Sequence, residues 1–219
     1  MAKKARTPPP PRSRQQGPRR REPARIPPWS DRRLLVGGAA IVIAIALIGV
    51  TLASRGGGGA SSKATKQAAT KLAAAGCTFR TYPSQGHDHV QSVDAKVAYS
   101  SFPPTSGMHY FQPLIWNRYT QPLALVAEVH NLEHGGMIVQ YGDKVPQATI
   151  EQLNAFYDSS PNGLLLAPLP KLGNKIALTA WTHLATCTRF DQGAFEAFSD
   201  AFRGKGPERL PVSSLKPGS

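Results

Sequence analysis

Residues 34–53 restrict the folding of this chain more than any other segment, because they are almost entirely apolar and carry no charge. They read LLVGGAAIVIAIALIGVTLA. A helix of this length spans about 30 Å, the thickness of the hydrocarbon core of a bilayer. The segment is followed by SRGGGG rather than by a small-residue cleavage site. The pattern therefore predicts an uncleaved transmembrane helix and not a signal peptide.

Most of the net charge of +13 lies before that segment. Residues 1–33 contain 11 Lys and Arg residues and 2 Asp and Glu residues, a net charge of +9, whereas residues 56–219 have a net charge of only +3. The positive-inside rule therefore predicts a cytoplasmic N-terminus and an extracytoplasmic C-terminal part in the cell membrane. The small charge of the C-terminal part argues against a nucleic-acid partner. The sequence indicates the lipid bilayer as a partner. It does not identify a protein partner.

Composition divides the rest of the chain into four parts. Residues 1–33 are rich in Pro and Arg and predict a disordered cytoplasmic tail. Residues 54–75 predict a glycine hinge followed by a solvated stalk helix rich in Ala and Lys, and residues 76–208 predict a single extracytoplasmic domain. Residues 209–219 contain Gly and Pro and predict a flexible tail.

The periodicity of residues 76–208 predicts an α+β domain. Apolar spacing typical of amphipathic helices occurs at residues 145–158 and 192–203, between pairs of β-rich runs. Consecutive strands favour antiparallel pairing, with the helices on one face of the sheet. The predicted strands are a short one at residues 95–100, two flanking the polar residues 130–136, and one each within 164–166 and 175–186.

Cys77 and Cys187 are the only two cysteines. Outside the cytoplasm the environment is oxidising, so the sequence predicts one disulfide between them. This bond would connect the start of the domain to its penultimate segment.

The richest candidate for a functional site is HNLEHGG, at residues 130–136. Two imidazoles and a carboxylate occur there within five residues. The apolar runs on either side predict two strands, and the paired glycines predict the turn between them.

Four motifs occur in a fixed order: GHDHV at 86–90, PPTSGMHY at 103–110, HNLEHG at 130–135 and GPE at 206–208. With these motifs, residues 76–208 resemble the family catalogued as domain of unknown function 3105, whose members are mostly membrane-anchored bacterial proteins. The resemblance implies the architecture of the domain and no established activity.

Histidine clustering predicts a transition-metal site. All 6 histidines follow residue 86, and 5 of them lie within residues 87–134. Imidazoles with a carboxylate suit zinc or copper. The predicted ligands are His89, His109, His130 and His134, with Glu133 and Asp88 orienting the rings from outside the ligand set.

These observations favour a non-enzymatic metal-binding or sensing module at the cell envelope. Two alternatives remain open. His130-x-x-Glu133-His134 matches the H-x-x-E-H pattern of one class of zinc peptidases, in which both imidazoles lie on one helical face, so a helix at residues 126–136 would favour a zinc-dependent hydrolase. Imidazoles paired separately to backbone atoms would instead favour a purely structural scaffold.

Overall fold

The structure, a computed structural model, describes residues 60–219. Within that range no helix is long and apolar enough to cross a membrane. The predicted transmembrane helix at 34–53, the tail before it and the glycines at 56–59 lie outside the described residues.

Residues 60–219 form a mixed α+β fold with four α-helices, a five-stranded sheet and a two-stranded ladder. The helices are α1 (Ser62–Ala74), α2 (Leu125–Glu133), α3 (Gln147–Ser159) and α4 (Gln192–Phe202). The strands are β1 (Thr78–Thr81), β2 (His89–Val90), β3 (His109–Tyr110), β4 (Met137–Tyr141), β5 (Leu164–Pro168), β6 (Ile176–Ala180) and β7 (His183–Cys187). Two 3₁₀ turns cover Pro170–Leu172 and Val212–Ser214.

The large sheet is mixed, with strand order β1-β7-β6-β4-β5. β4 and β5 are parallel and are connected through α3, whereas the other neighbours pair antiparallel. The prediction of antiparallel pairs alone is therefore wrong at β4 and β5. A crossover helix reverses the chain direction between two strands, which lets them run parallel. The single strand predicted within 175–186 is a hairpin, β6 and β7, and the strand predicted at 95–100 is irregular chain.

Helices cover both faces of the sheet, so the prediction that all of them share one face is wrong. Successive side chains of a strand point to opposite faces. Met137 and Val139 of β4 therefore pack in the core that α1, α3 and α4 complete, whereas Ile138 packs with Leu132 of α2 on the other side.

The helix α1 is part of the domain core and not a solvated stalk. Its residues Ala68 and Leu72 are fully buried and belong to the same core as Phe198 and Phe202 of α4. Ser61 caps the helix, its hydroxyl accepting a hydrogen bond from the Ala64 amide at 3.2 Å.

Two further features fix the ends of the domain. The predicted disulfide between Cys77 and Cys187 is present, with 4.3 Å between the two Cα atoms. The C-terminal residues, predicted as a flexible tail, pack against the domain: Leu215 is buried, and the Trp116 amide donates a hydrogen bond to the Ser219 carbonyl at 3.0 Å. This tail is too short to show an apolar period. Its Gly and Pro content predicts flexibility but does not reveal that it packs against the domain.

Candidate metal centre

The helix α2 forms where a strand and a turn were predicted. Val126, Val129 and Leu132 recur at intervals of three residues and are buried. The two β-branched valines, and the apolar residues that follow in β4, predict a strand. The segment is instead a helix because its apolar face packs against the sheet. Gly135 has a φ of 91°, and this left-handed conformation ends the helix. A Cβ at Gly136 would overlap the indole of Trp116, so the second glycine allows a close approach.

Two faces of α2 carry carboxylates with different surroundings. Glu128 faces the sheet, where the Gln140 amide donates hydrogen bonds to both of its oxygens at 2.9 and 3.1 Å. Burial raises the pKa of Glu128 to about 8, and the hydrogen bond from Gln140 opposes this shift. Glu133, five residues later, faces the histidines instead.

The short ladder β2–β3 brings two distant histidines together. The strands are parallel, and His89 lies opposite His109 in the register. The His109 amide donates to the Asp88 carbonyl at 2.9 Å, and the two ring centroids are 4.7 Å apart. The backbone of GHDHV and PPTSGMHY thus places two imidazoles side by side.

His89, His109, His130 and Glu133 form one cluster, in which one possible ligand atom from each residue lies within 4.8 Å of the others. The Glu133 carboxylate oxygen Oε2 is 3.0 Å from His109 Nε2 and 3.7 Å from His89 Nε2. Ligand atoms at zinc distances in a tetrahedron are about 3.3 Å apart. These two pairs bracket that separation and the remaining pairs lie within 4.8 Å, so the four side chains could close on one ion by moving towards one another.

Hydrogen bonds fix the orientation of the two buried rings. His109 Nδ1 donates to the Gly107 carbonyl at 2.7 Å, and His130 Nδ1 donates to the Tyr110 carbonyl at 2.8 Å. In the neutral rings, Nε2 is then an unprotonated ligand atom. Burial lowers the pKa of His130, as do His134 and His109 nearby, while the bond to Tyr110 and the Glu133 charge oppose the shift. The neutral form, which binds metals, is therefore favoured at His130.

Two predicted site residues lie elsewhere. The rings of His134 and His130 are 4.7 Å apart, but His134 Nε2 lies 3.1 Å from a Glu208 carboxylate oxygen, and His134 is outside the cluster. Asp88 is exposed and contributes only its backbone carbonyl. Conversely, Glu133, predicted to act from outside the ligand set, is one of the four clustered residues. These differences arise because successive side chains of a helix point about 100° apart, so Glu133 and His134 at the end of α2 cannot both face the cluster.

A further residue, His87, was not predicted as part of the site. Its Nδ1 lies 3.2 Å from Glu133 Oε1, whereas the contact with His109 is made by the other carboxylate oxygen, Oε2. Its position in GHDH, two residues before His89, is the only sequence signal that could have identified it.

Exposure differs sharply across the centre. His109, His130 and Glu133 are buried, whereas the side chains of His89 and His87 are 41% and 66% exposed. The cluster thus lies in the wall of the domain, with its histidine-rich rim in solvent. The remaining histidine, His183, stacks on Phe202 at 4.1 Å, and burial lowers its pKa against the effect of a hydrogen bond to Trp181.

The H-x-x-E-H pattern has the helix that the hydrolase alternative requires, but its geometry differs. That chemistry needs both imidazoles on the metal and the carboxylate beside it as a general base. In this helix His134 pairs with Glu208, and Glu133 joins His109 and His130 in the cluster. Of the three residues in the pattern, His130 and Glu133 are in the cluster and His134 is not, so none of the three remains beside the cluster as a general base.

The fold and the site define a mixed α+β domain with a cluster of three histidines and one glutamate, of which only His89 is exposed. The family described as "Protein of unknown function (DUF3105)" matches residues 89–213, more than half of the chain, and the chain belongs to this family. No curated protein and no solved structure matches the chain.

Proposed function

We propose that this protein is a membrane-anchored, extracytoplasmic domain that binds a transition metal through His89, His109, His130 and Glu133, without enzymatic turnover. The metal is zinc or copper. Three imidazole nitrogens and one carboxylate oxygen are borderline donors that suit either ion, and a tetrahedral arrangement would favour zinc.

The observation that carries the proposal is the contact between His109 Nε2 and Glu133 Oε2, 3.0 Å apart and buried. His109 donates from its other nitrogen, so in the neutral ring two lone pairs face each other. Such a contact is favourable only with a proton or a cation between the atoms. A metal shared with His89 and His130 satisfies all four groups at once.

The non-enzymatic role follows from the use of Glu133. A metallohydrolase needs a base beside the metal-bound water. Here the carboxylate of the H-x-x-E-H pattern takes a ligand position, which supports binding or sensing over hydrolysis. The zinc-dependent hydrolase remains an alternative because residues 125–133 are helical, as it requires, and the structural scaffold remains one because His109 and His130 each donate to a backbone carbonyl. The experiment below separates the scaffold from metal binding.

The envelope location rests on the sequence. Residues 34–53 are long enough to cross a bilayer, and the net charge of +9 before them favours a cytoplasmic N-terminus. A disulfide between Cys77 and Cys187 is typical of an oxidising compartment.

Metal content of the full chain tests the proposal. The protein is purified in detergent with a removable tag that contains no histidine, dialysed, and measured by inductively coupled plasma mass spectrometry. We expect about one zinc or copper ion per chain, and a higher melting temperature when metal is returned to stripped protein, because an ion that binds only the folded state stabilises it.

His130→Ala and His134→Ala form a matched pair at the end of one helix. His130→Ala should lose the metal, and His134→Ala should keep it. His89→Ala removes an exposed ligand and tests the site with little effect on the core. Metal-free wild-type protein with no thermal response to zinc or copper would favour the scaffold, and equal metal loss in both helix variants would contradict this ligand set.

A further inference from the structure

The ligand set leaves a positive charge on the centre. With a divalent ion, three neutral imidazoles and one carboxylate give a net charge of +1. Two further acidic side chains adjoin these histidines: Glu208 contacts His134, and Asp88, between His87 and His89 in sequence, is exposed and forms no salt bridge within residues 60–219. A partly buried net charge is costly unless a counter-ion compensates it.

The centre is accessible from one side only. His109, His130 and Glu133 are at most 6% exposed, whereas the His89 side chain is 41% exposed. An ion held by these four residues would therefore meet solvent beside His89. This is the side from which a further ligand can reach it.

His87 contacts the carboxylate oxygen of Glu133 that His109 leaves free. Oε2 of Glu133 faces His109 at 3.0 Å, and Oε1 lies 3.2 Å from His87 Nδ1. This His87 contact draws Oε1 away from the place where the four ligand atoms meet, so Glu133 would bind an ion there through one oxygen. Hydrogen bonds to ligating carboxylates commonly fix their orientation in this way.

We propose that the metal centre keeps one coordination position beside His89 for a small singly charged anion of the carboxylate class, and that His87 keeps this position free by holding Glu133 monodentate. The proposal rests on the proposed metal function. An oxygen donor matches the imidazole and carboxylate ligands in chemical character, and a single negative charge neutralises the centre. His87 acts as a positioning residue.

Cobalt(II) replaces the native metal in the test, because its visible absorption reports the coordination number. The full chain is stripped, loaded with cobalt(II) to saturation, and titrated with acetate and, separately, with neutral acetamide of nearly the same shape. Acetate should weaken the intense four-coordinate bands in a saturable manner, and acetamide should leave them unchanged. Equal responses to both, or no response to acetate in cobalt-loaded protein, would overturn the proposal.

Two variants at one position test the role of His87. His87→Ala removes the donor and should lower acetate affinity at least about tenfold, the range seen when groups that orient ligands are removed. His87→Asn places an amide N–H near the position of Nδ1 and should retain acetate binding. Unchanged acetate affinity in His87→Ala would contradict the positioning role. Absence of the cobalt bands in wild-type protein would instead contradict the metal function itself.

Discussion

Gly206 shows how a single backbone position supports the cluster of three histidines and Glu133. It lies against the end of α2, where a Cβ would overlap the Glu133 carbonyl oxygen and the Gly135 amide nitrogen. The Gly204 amide also donates to the Gly135 carbonyl at 2.7 Å. The GPE motif at 206–208 therefore contributes by close backbone packing behind Glu133, in addition to the contact of Glu208 with His134.

Gly206→Ala should displace the end of α2, weaken metal binding, and destabilise the domain by about 1–3 kcal/mol, because backbone atoms cannot move aside as side chains do. Chemical denaturation and metal content measure the two effects. Gly193→Ala is the control: it lies in α4 with its nearest neighbour 3.8 Å from the new Cβ. A wild-type metal content in Gly206→Ala would show that the end of α2 tolerates the change.

The elements differ in how far the sequence could predict them. The helices α3 and α4 were predicted within two residues of their bounds, because their apolar residues recur with a helical period and are bounded by turns. α2 was not, because nine residues with two β-branched valines do not distinguish a buried helix from a buried strand. Its helical form depends on packing against β4 and on the segment at Leu114, which Asn131 binds through both amide atoms at 2.8 Å.

The same limit applies to the site. Sequence clustering identified His89, His109 and His130, because motifs dense in histidine mark them. Whether Glu133 or His134 joins this cluster depends on the segment being a helix, so the sequence predicts His134 where the structure has Glu133. The pairing of His89 with His109 joins residues twenty positions apart through a two-residue parallel ladder, which no local pattern predicts.

The helix α1 gives the element-scale prediction. Leu72 is fully buried against α4, whereas its neighbour Lys71 is exposed. Leu72→Ala should lower the free energy of unfolding by about 2–5 kcal/mol, the usual cost of a cavity at such a position, and Lys71→Ala should change it little. Urea denaturation compares the two variants. Similar unfolding midpoints for both would restore the prediction of a solvated stalk.

For the whole molecule, the asymmetry of charge about residues 34–53 sets the expected orientation. Alkaline phosphatase, which is active only outside the cytoplasm, should be active when fused after Ser219. The matched fusion after Arg33, ahead of the apolar segment, should be inactive. A well-expressed but inactive fusion at Ser219 would contradict the extracytoplasmic location.

The position of the disulfide also determines how the domain bears mechanical force. A pull at residue 60 acts first along α1 and reaches Cys77 just before β1, an edge strand paired only with β7. Without the bond, the load would open the β1–β7 pairs one after another. With it, the load passes covalently to Cys187 at the end of β7, which is flanked by β1 and β6. Tension applied at the N-terminal side is thus carried past the sheet edge and into the interior of the sheet.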